Sequence, residues 1–238
     1  MRVLSIDFDY FPVCTRKNYE SFPDGIEQTP QLSEMIWASK YLFSDGIEKI
    51  KLNREELQKV KKIIELNSDK AKDVNSEKPA KAMVSLSHTE AYYFVKHHVR
   101  NHLKDGEEIE IVNLDAHHDL FNDNPELDCG NWLGFLKKEL KEKLQIKWVT
   151  NRVNLEMYGF DSKDTGRFSY TSIGEITDTD YDLIFLCRSD SWLPPHFDND
   201  FIGLADFISE SIEESFLDWR VFKKRNYKSA MEKIRGNA

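Results

Sequence analysis

The chain is poor in the features that mark several protein classes. It has three cysteines, Cys14, Cys129 and Cys187, an odd number and widely spaced. No pair has zinc-knuckle spacing, and a disulfide framework does not fit, so a reducing, cytoplasmic setting is expected. No apolar run approaches the roughly 18 residues of a membrane span. Positive charge is in deficit: 33 Lys and Arg stand against 42 Asp and Glu, a formal net charge of −9. Phosphate backbones want a basic face, so no nucleic-acid partner is expected. The opening residues, Met1 to Asp7, turn acidic too soon for a signal peptide. What is present is a hydrophobic content of 40% over 238 residues. That suits one domain, 1–238, burying roughly 70% of its unfolded surface.

One stretch organises the rest: Ile111-Val112-Asn113-Leu114-Asp115-Ala116-His117-His118-Asp119-Leu120. It reads as a buried strand running out into metal ligands. Asp115, His117 and Asp119 fall at i, i+2 and i+4, which on an extended backbone share a face. Two carboxylates and an imidazole suit Mn²⁺, Fe²⁺, Zn²⁺ or Mg²⁺. A solvated polar turn is the bland alternative. With His118, four potential ligands within five residues argue against it.

A second stretch has the same form. Arg2 to Phe8 reads as a strand, followed by Asp9-Tyr10-Phe11-Pro12, with Asp7 and Asp9 again two apart. Ala82 to Leu86 is a short strand, and His88 marks its junction with a helix to about Leu103. Asp182 to Cys187 is an apolar strand ending in Arg188-Ser189-Asp190-Ser191-Trp192. Helices are expected from Pro30 to Phe43 with Leu32, Ile36, Ala38 or Ser39, and Phe43 in its stripe, from Arg54 to Asn67 capped by Asn53, from Asn131 to Lys143, and from Asp198 to Glu213. Further strands are expected at 146–150 and 168–173. Residues 13–29 and 68–81 read as loops, 151–167 as mixed and polar, and the basic tail from Arg220 as mobile at its end. The alternation predicts α/β architecture, with a mainly parallel central sheet and helices on both faces. Four strand ends carry polar groups, and one mouth of a parallel sheet can collect them.

Asp115-Ala116-His117-His118-Asp119 and Ser5-Ile6-Asp7-Phe8-Asp9-Tyr10-Phe11-Pro12 resemble the two signatures of the arginase-like ureohydrolases, Asp-Ala-His-x-Asp and Ser-x-Asp-x-Asp-x-x-Asp-Pro. The order is permuted, because the paired-aspartate strand opens this chain. Ser-Leu-Ser-His stands where Gly-Gly-Asp-His is usual. In these departures, and in Cys129-Gly130-Asn131-Trp132 and Ser189-Asp190-Ser191-Trp192, the chain resembles the atypical peptide arginases.

The resemblance implies a three-layer arginase-like fold and two Mn²⁺ ions. One ion would be held by His88, Asp115, Asp119 and Asp7, the other by Asp115, His117, Asp7 and Asp9. It also implies hydrolysis of arginine side chains in a ribosomally made precursor peptide to ornithine, with release of urea. Asp119 or Asp7 would relay the proton, with His118 a weaker candidate acid. A guanidinium needs a carboxylate partner, for which Asp190 is the choice, with Asn131, Trp132 and Trp192 lining the pocket. Two alternatives stay open: another ureohydrolase or amide hydrolase acting on a free small substrate, and a noncatalytic metal-binding regulatory domain.

Overall fold

The computed structural model describes residues 1–23, 30–71, 80–121, 124–159, 168–177 and 179–236. Seven short strands with apolar cores form one sheet: β1 (Arg2–Asp7), β4 (Lys81–Ser85), β5 (Ile109–Leu114), β6 (Leu144–Val149), β7 (Phe168–Thr171), β8 (Leu183–Cys187) and β9 (Glu214–Leu217). Their order is β7-β6-β5-β1-β8-β4-β9, and every pairing is parallel. A separate antiparallel pair joins β2 (Pro12–Val13) to β3 (Lys51–Leu52).

Alternation along the central strands assigns each side chain to a face. Leu4 and Ile6 of β1 join Val112 and Leu114 of β5 and Ile184 and Leu186 of β8 in one core. Helices α2 (Pro30–Phe43), α3 (Arg54–Ala71) and α7 (Asp198–Ser211) cover that face through Trp37, Val60, Ile64, Phe201 and Leu204. Val3, Ile111 and Phe185 point the other way, against Ala91 and Val95 of α4 (Thr89–His102) and Leu133 and Leu136 of α5 (Trp132–Leu140). The result is the expected three-layer α/β arrangement, consistent with an arginase-like fold. Short helices α1 (Arg16–Ser21) and α6 (Arg152–Tyr158) complete the described elements, with α8 (Tyr227–Gly236) last. Among the described residues no helix is long and apolar enough to cross a membrane.

Local chemistry accounts for the boundaries. Asn53 caps α3 by accepting from the Glu56 N–H at 3.2 Å. Asn151 caps α6 in the same way through Asn154, which places a helix in the stretch expected to be merely polar. The α2 stripe differs from expectation. Ala38 is buried as expected, but Leu32 and Phe43 are exposed, and Ser33 and Trp37 are buried instead. That helix turns its polar donors inward because Ser33 Oγ and Trp37 Nε1 both bond the Asp190 carbonyl. Helix α8 lies where the sequence suggests only a basic tail, and β9 had no sequence expectation. The proposed loop segments 24–29 and 72–79 lie outside the described residues.

Candidate metal centre

The carboxyl ends of β1, β4, β5 and β8 open at one edge of the sheet, with β1 between β5 and β8. This is the edge where open α/β sheets bind ligands. The motif residues do not converge by strand alternation, however. Strand β5 ends at Leu114 and β1 at Asp7, and Phe8–Tyr10 is a 3₁₀ turn. Beyond those ends the carboxylates satisfy backbone donors that the sheet no longer pairs. Asp115 Oδ1 accepts the His117 N–H at 2.7 Å, Asp9 Oδ1 accepts the Ala116 N–H at 3.2 Å, and Asp7 Oδ1 accepts the Asp9 N–H at 3.1 Å. Asp119 turns back into the cluster with φ of 55°, a left-handed conformation that aspartate and asparagine adopt more readily than other non-glycine residues.

The six expected ligands meet in one buried cluster. Asp7, His88 and Asp115 bring three ligand atoms within 4.8 Å of one another, and so do Asp9, Asp115 and His117. Asp115 is common to both sets. His88 Nδ1 lies 3.2 Å from Asp115 Oδ2, 3.2 Å from Asp119 Oδ2 and 3.4 Å from Asp7 Oδ2. His117 Nδ1 lies 3.2 Å from Asp9 Oδ2 and 3.5 Å from Asp115 Oδ1.

Around these atoms stands a layer of supporting bonds. Ser5 Oγ engages His88 Nε2 at 2.7 Å, fixing the ring so that Nδ1 faces the carboxylates. Trp132 Nε1 donates to Asp119 Oδ2 at 2.5 Å, and Asn113 Nδ2 donates to Asp115 and Asp119 at 3.4 Å each. Ser189 Oγ donates to Asp7 Oδ2, from a backbone at φ of 48°. Partners of this kind orient metal ligands in general.

The donor set passes a test of fit for a divalent cation. His88 Nδ1 and Asp9 Oδ2 are buried and have no hydrogen-bond partner, a costly condition unless something else occupies their lone pairs. Four buried carboxylates crowd two imidazoles, so the cluster needs positive charge. Burial, then the charges of Asp7 and Asp115, push the Asp9 carboxyl up to about 8. Burial and Asp115 also push Asp119 well above the usual carboxylate range. For Asp115 burial acts upward, but the adjacent His117 and His88 rings outweigh it and hold the group below that range. Burial disfavours charge on His88 and His117, yet their carboxylate neighbours raise both. Carboxylate and imidazole donors suit first-row divalent ions without selecting one.

The cluster forms the floor of a cavity of about 260 Å³. Asp7, Asp119, His117 and Ser189 lie at its base, with Phe121, Tyr158, Trp192, Asp128, Cys129 and Gly130 around it. Tyr158 and Trp192 pack on the His117 ring with centroids 4.6 and 4.5 Å away. Of the expected substrate residues, only Trp192 is in this lining.

The other expected roles are corrected. Asp190 is not available to a guanidinium. Its two oxygens accept from Arg188 Nε at 2.5 Å and Nη2 at 3.1 Å, and Arg225 lies 3.8 Å away. Burial acts upward on its pKa, and Arg225 and Arg188 together bring it below the usual range. Asn131 ties down its own loop, accepting from Asp128 N at 2.8 Å and donating to the Glu126 carbonyl at 2.7 Å. Trp132 is fully buried behind His88, at 5.1 Å between ring centroids. His118 turns away, against Phe121 and Trp148, and accepts the Leu120 N–H on Nδ1. Burial, and then the neighbouring His117, bring it down to about 4. It is therefore neutral near pH 7 and offers no imidazolium proton. Asp7 and Asp119 line the cavity and keep their candidacy.

Sequence reasoning missed Asp128, Tyr158 and Ser189 as lining residues. Ser189 was within reach, since it stands two residues past a strand end like the ligands. Tyr158 gave no signal, because it ends a short helix in a polar stretch. No family model, no curated protein and no solved structure matches the chain.

Proposed function

We propose that this chain is a peptide arginase: an Mn²⁺-dependent hydrolase that converts arginine side chains of a precursor peptide to ornithine and urea. The observation that carries the reading is the pair of ligand sets sharing Asp115 at the floor of a pocket with aromatic walls. His88, Asp115, Asp119 and Asp7 would hold one ion, and Asp115, His117, Asp7 and Asp9 the other. Two ions held there would supply an acidified water as nucleophile and positive charge beside the attacked guanidinium carbon.

The chain's own groups do the remainder. Trp132 and Asn113 fix Asp119, and Ser189 fixes Asp7, so both carboxylates face the cavity in set orientations. Asp119 is the group we assign to take a proton and return it to the leaving amine. Tyr158 and Trp192 exclude water beside His117 and offer ring faces to a planar cation. The described lining contains no lysine or arginine.

The test is incubation of the Mn²⁺-loaded protein with an arginine-containing peptide and, separately, with free arginine. The expected result is urea release and a loss of about 42 Da per modified arginine, the mass change of guanidine hydrolysis, on the peptide alone. Conversion only of free arginine would make it an ordinary arginase. Acetate from an acetylated amine would make it an amide hydrolase. No turnover with metal bound would favour a binding domain.

A further inference from the structure

We infer that Asp128 is the specificity-determining residue that draws a cationic side-chain headgroup into this cavity. The inference rests on the proposed hydrolysis only for the cation's identity as a guanidinium. Three carboxylates are in the described lining: Asp7, Asp119 and Asp128. The first two belong to the ligand cluster. Four ligand carboxylates against two divalent ions leave no net charge to attract a cation. Asp128 adds a negative charge outside the ligand cluster, and among the described lining residues there is no lysine or arginine beside it. Asp190, the other acid near the mouth of the sheet, is consumed by Arg188.

The loop is built to present this group. Asp128 Oδ1 accepts the Gly130 N–H at 2.9 Å, and Oδ2 accepts Asn124 Nδ2 at 2.6 Å. The Asp128 N–H is held in turn by Asn131 Oδ1 at 2.8 Å. A carboxylate offers about four acceptor positions. These two bonds orient it and leave one position on each oxygen, the arrangement a forked cation requires. Gly130 lets the loop lie against the aromatic wall, since a Cβ there would come within 3.2 Å of Phe121 Cδ2.

The test is calorimetric binding to the Mn²⁺-loaded protein of two peptides that differ at one residue, ornithine or citrulline. Neither offers a guanidinium to cleave, and only ornithine is charged. The Asp128→Asn variant removes the charge and keeps an oxygen for the Gly130 bond. The wild type is expected to prefer the ornithine peptide by about 10-fold, the scale of one charged hydrogen bond. Asp128→Asn is expected to abolish that preference while citrulline binding changes by less than about 2-fold, and Asp128→Glu to restore part of it. A preference that survives Asp128→Asn overturns the inference. So does a wild type that binds both peptides alike, or an equal loss for both, which would make Asp128 a loop-building residue. Absence of urea with the charge preference intact would sink the hydrolysis reading and leave this one standing. Urea release with a preference unaffected by Asp128→Asn would do the reverse.

Discussion

The Trp132 indole donates to Asp119 and lies beside the His88 ring, so one side chain steadies two ligands from different elements. Replacing it by phenylalanine deletes the N–H and keeps an aromatic ring beside His88, though a smaller one in a fully buried site. For Trp132→Phe we expect Mn²⁺ affinity to fall by about 10- to 100-fold, the usual effect of losing an outer-sphere partner. The metal-stripped protein should also unfold at a lower temperature, because the smaller ring leaves a cavity. Metal titration by calorimetry and thermal unfolding in chelator check the two halves. Unchanged affinity would remove Trp132 from the support of the site. The neighbouring histidines show how finely residue identity can mislead. His117 faces the carboxylates, whereas His118, one position on, faces Phe121 and Trp148 and is held neutral.

At the level of elements, the segment after β8 is the least self-evident part of the site. Ser189 adopts a left-handed backbone, and a non-glycine residue there costs about 1–3 kcal/mol. The surrounding structure over-determines it. Arg188 grips the Asp190 carboxylate, while Arg225, Trp37 and Ser33 all bond the Asp190 carbonyl. Arg225 is itself paired with Asp198 at the start of α7. The segment leading into α8 therefore holds in place the loop that delivers Ser189 to Asp7 and Trp192 to His117. Asp190→Ala leaves buried Arg188 without its carboxylate, a change that costs about 3–5 kcal/mol in comparable buried pairs. We expect that loss in chemical denaturation of the variant. A variant of wild-type stability with only weakened substrate binding would return Asp190 to the role the sequence suggested.

At the level of the whole molecule, a parallel sheet sends every strand's carboxyl end to one edge. Ligands separated by more than 100 residues, such as Asp7 and Asp115, thereby become neighbours. The metal-free cluster keeps its carboxylates together by holding protons, with Asp9 pushed up to about 8 and Asp119 raised as well. At about 8 the Asp9 carboxyl holds its proton near pH 7 and must lose it to bind a cation. Mn²⁺ binding should therefore release protons and tighten as pH rises toward about 8. Calorimetry in buffers of different ionisation enthalpy reads the number released. Metal that binds only the folded state also stabilises it, by about 2.7 kcal/mol at a hundredfold excess over Kd. Chelation should accordingly lower the unfolding temperature. A titration without proton release would contradict the proton-filled cluster.

The ligand types, their two-residue spacing and the strand–helix alternation were legible in the residues themselves. Apolar runs followed by Asp and His depend only on local composition and period, and they led to the right sheet and the right layers. The six side chains that cluster were brought together as one set by the family resemblance, and turns beyond the strand ends rather than strand alternation converge them. The rest depended on partners far away in sequence. Nothing local to Ser189-Asp190-Ser191-Trp192 says that Asp190 meets Arg188 and Arg225 while Ser189 and Trp192 meet the cavity. Likewise, nothing near Trp132 says that its N–H finds Asp119 rather than a substrate. Helix α8 and strand β9 were illegible for a related reason: a basic tail and a four-residue edge strand acquire structure by packing rather than by intrinsic pattern. The sequence by itself determined which chemistry was available. Tertiary structure decided which copy of each group faces the cavity, because a buried charge is settled by the nearest opposite charge the fold brings to it.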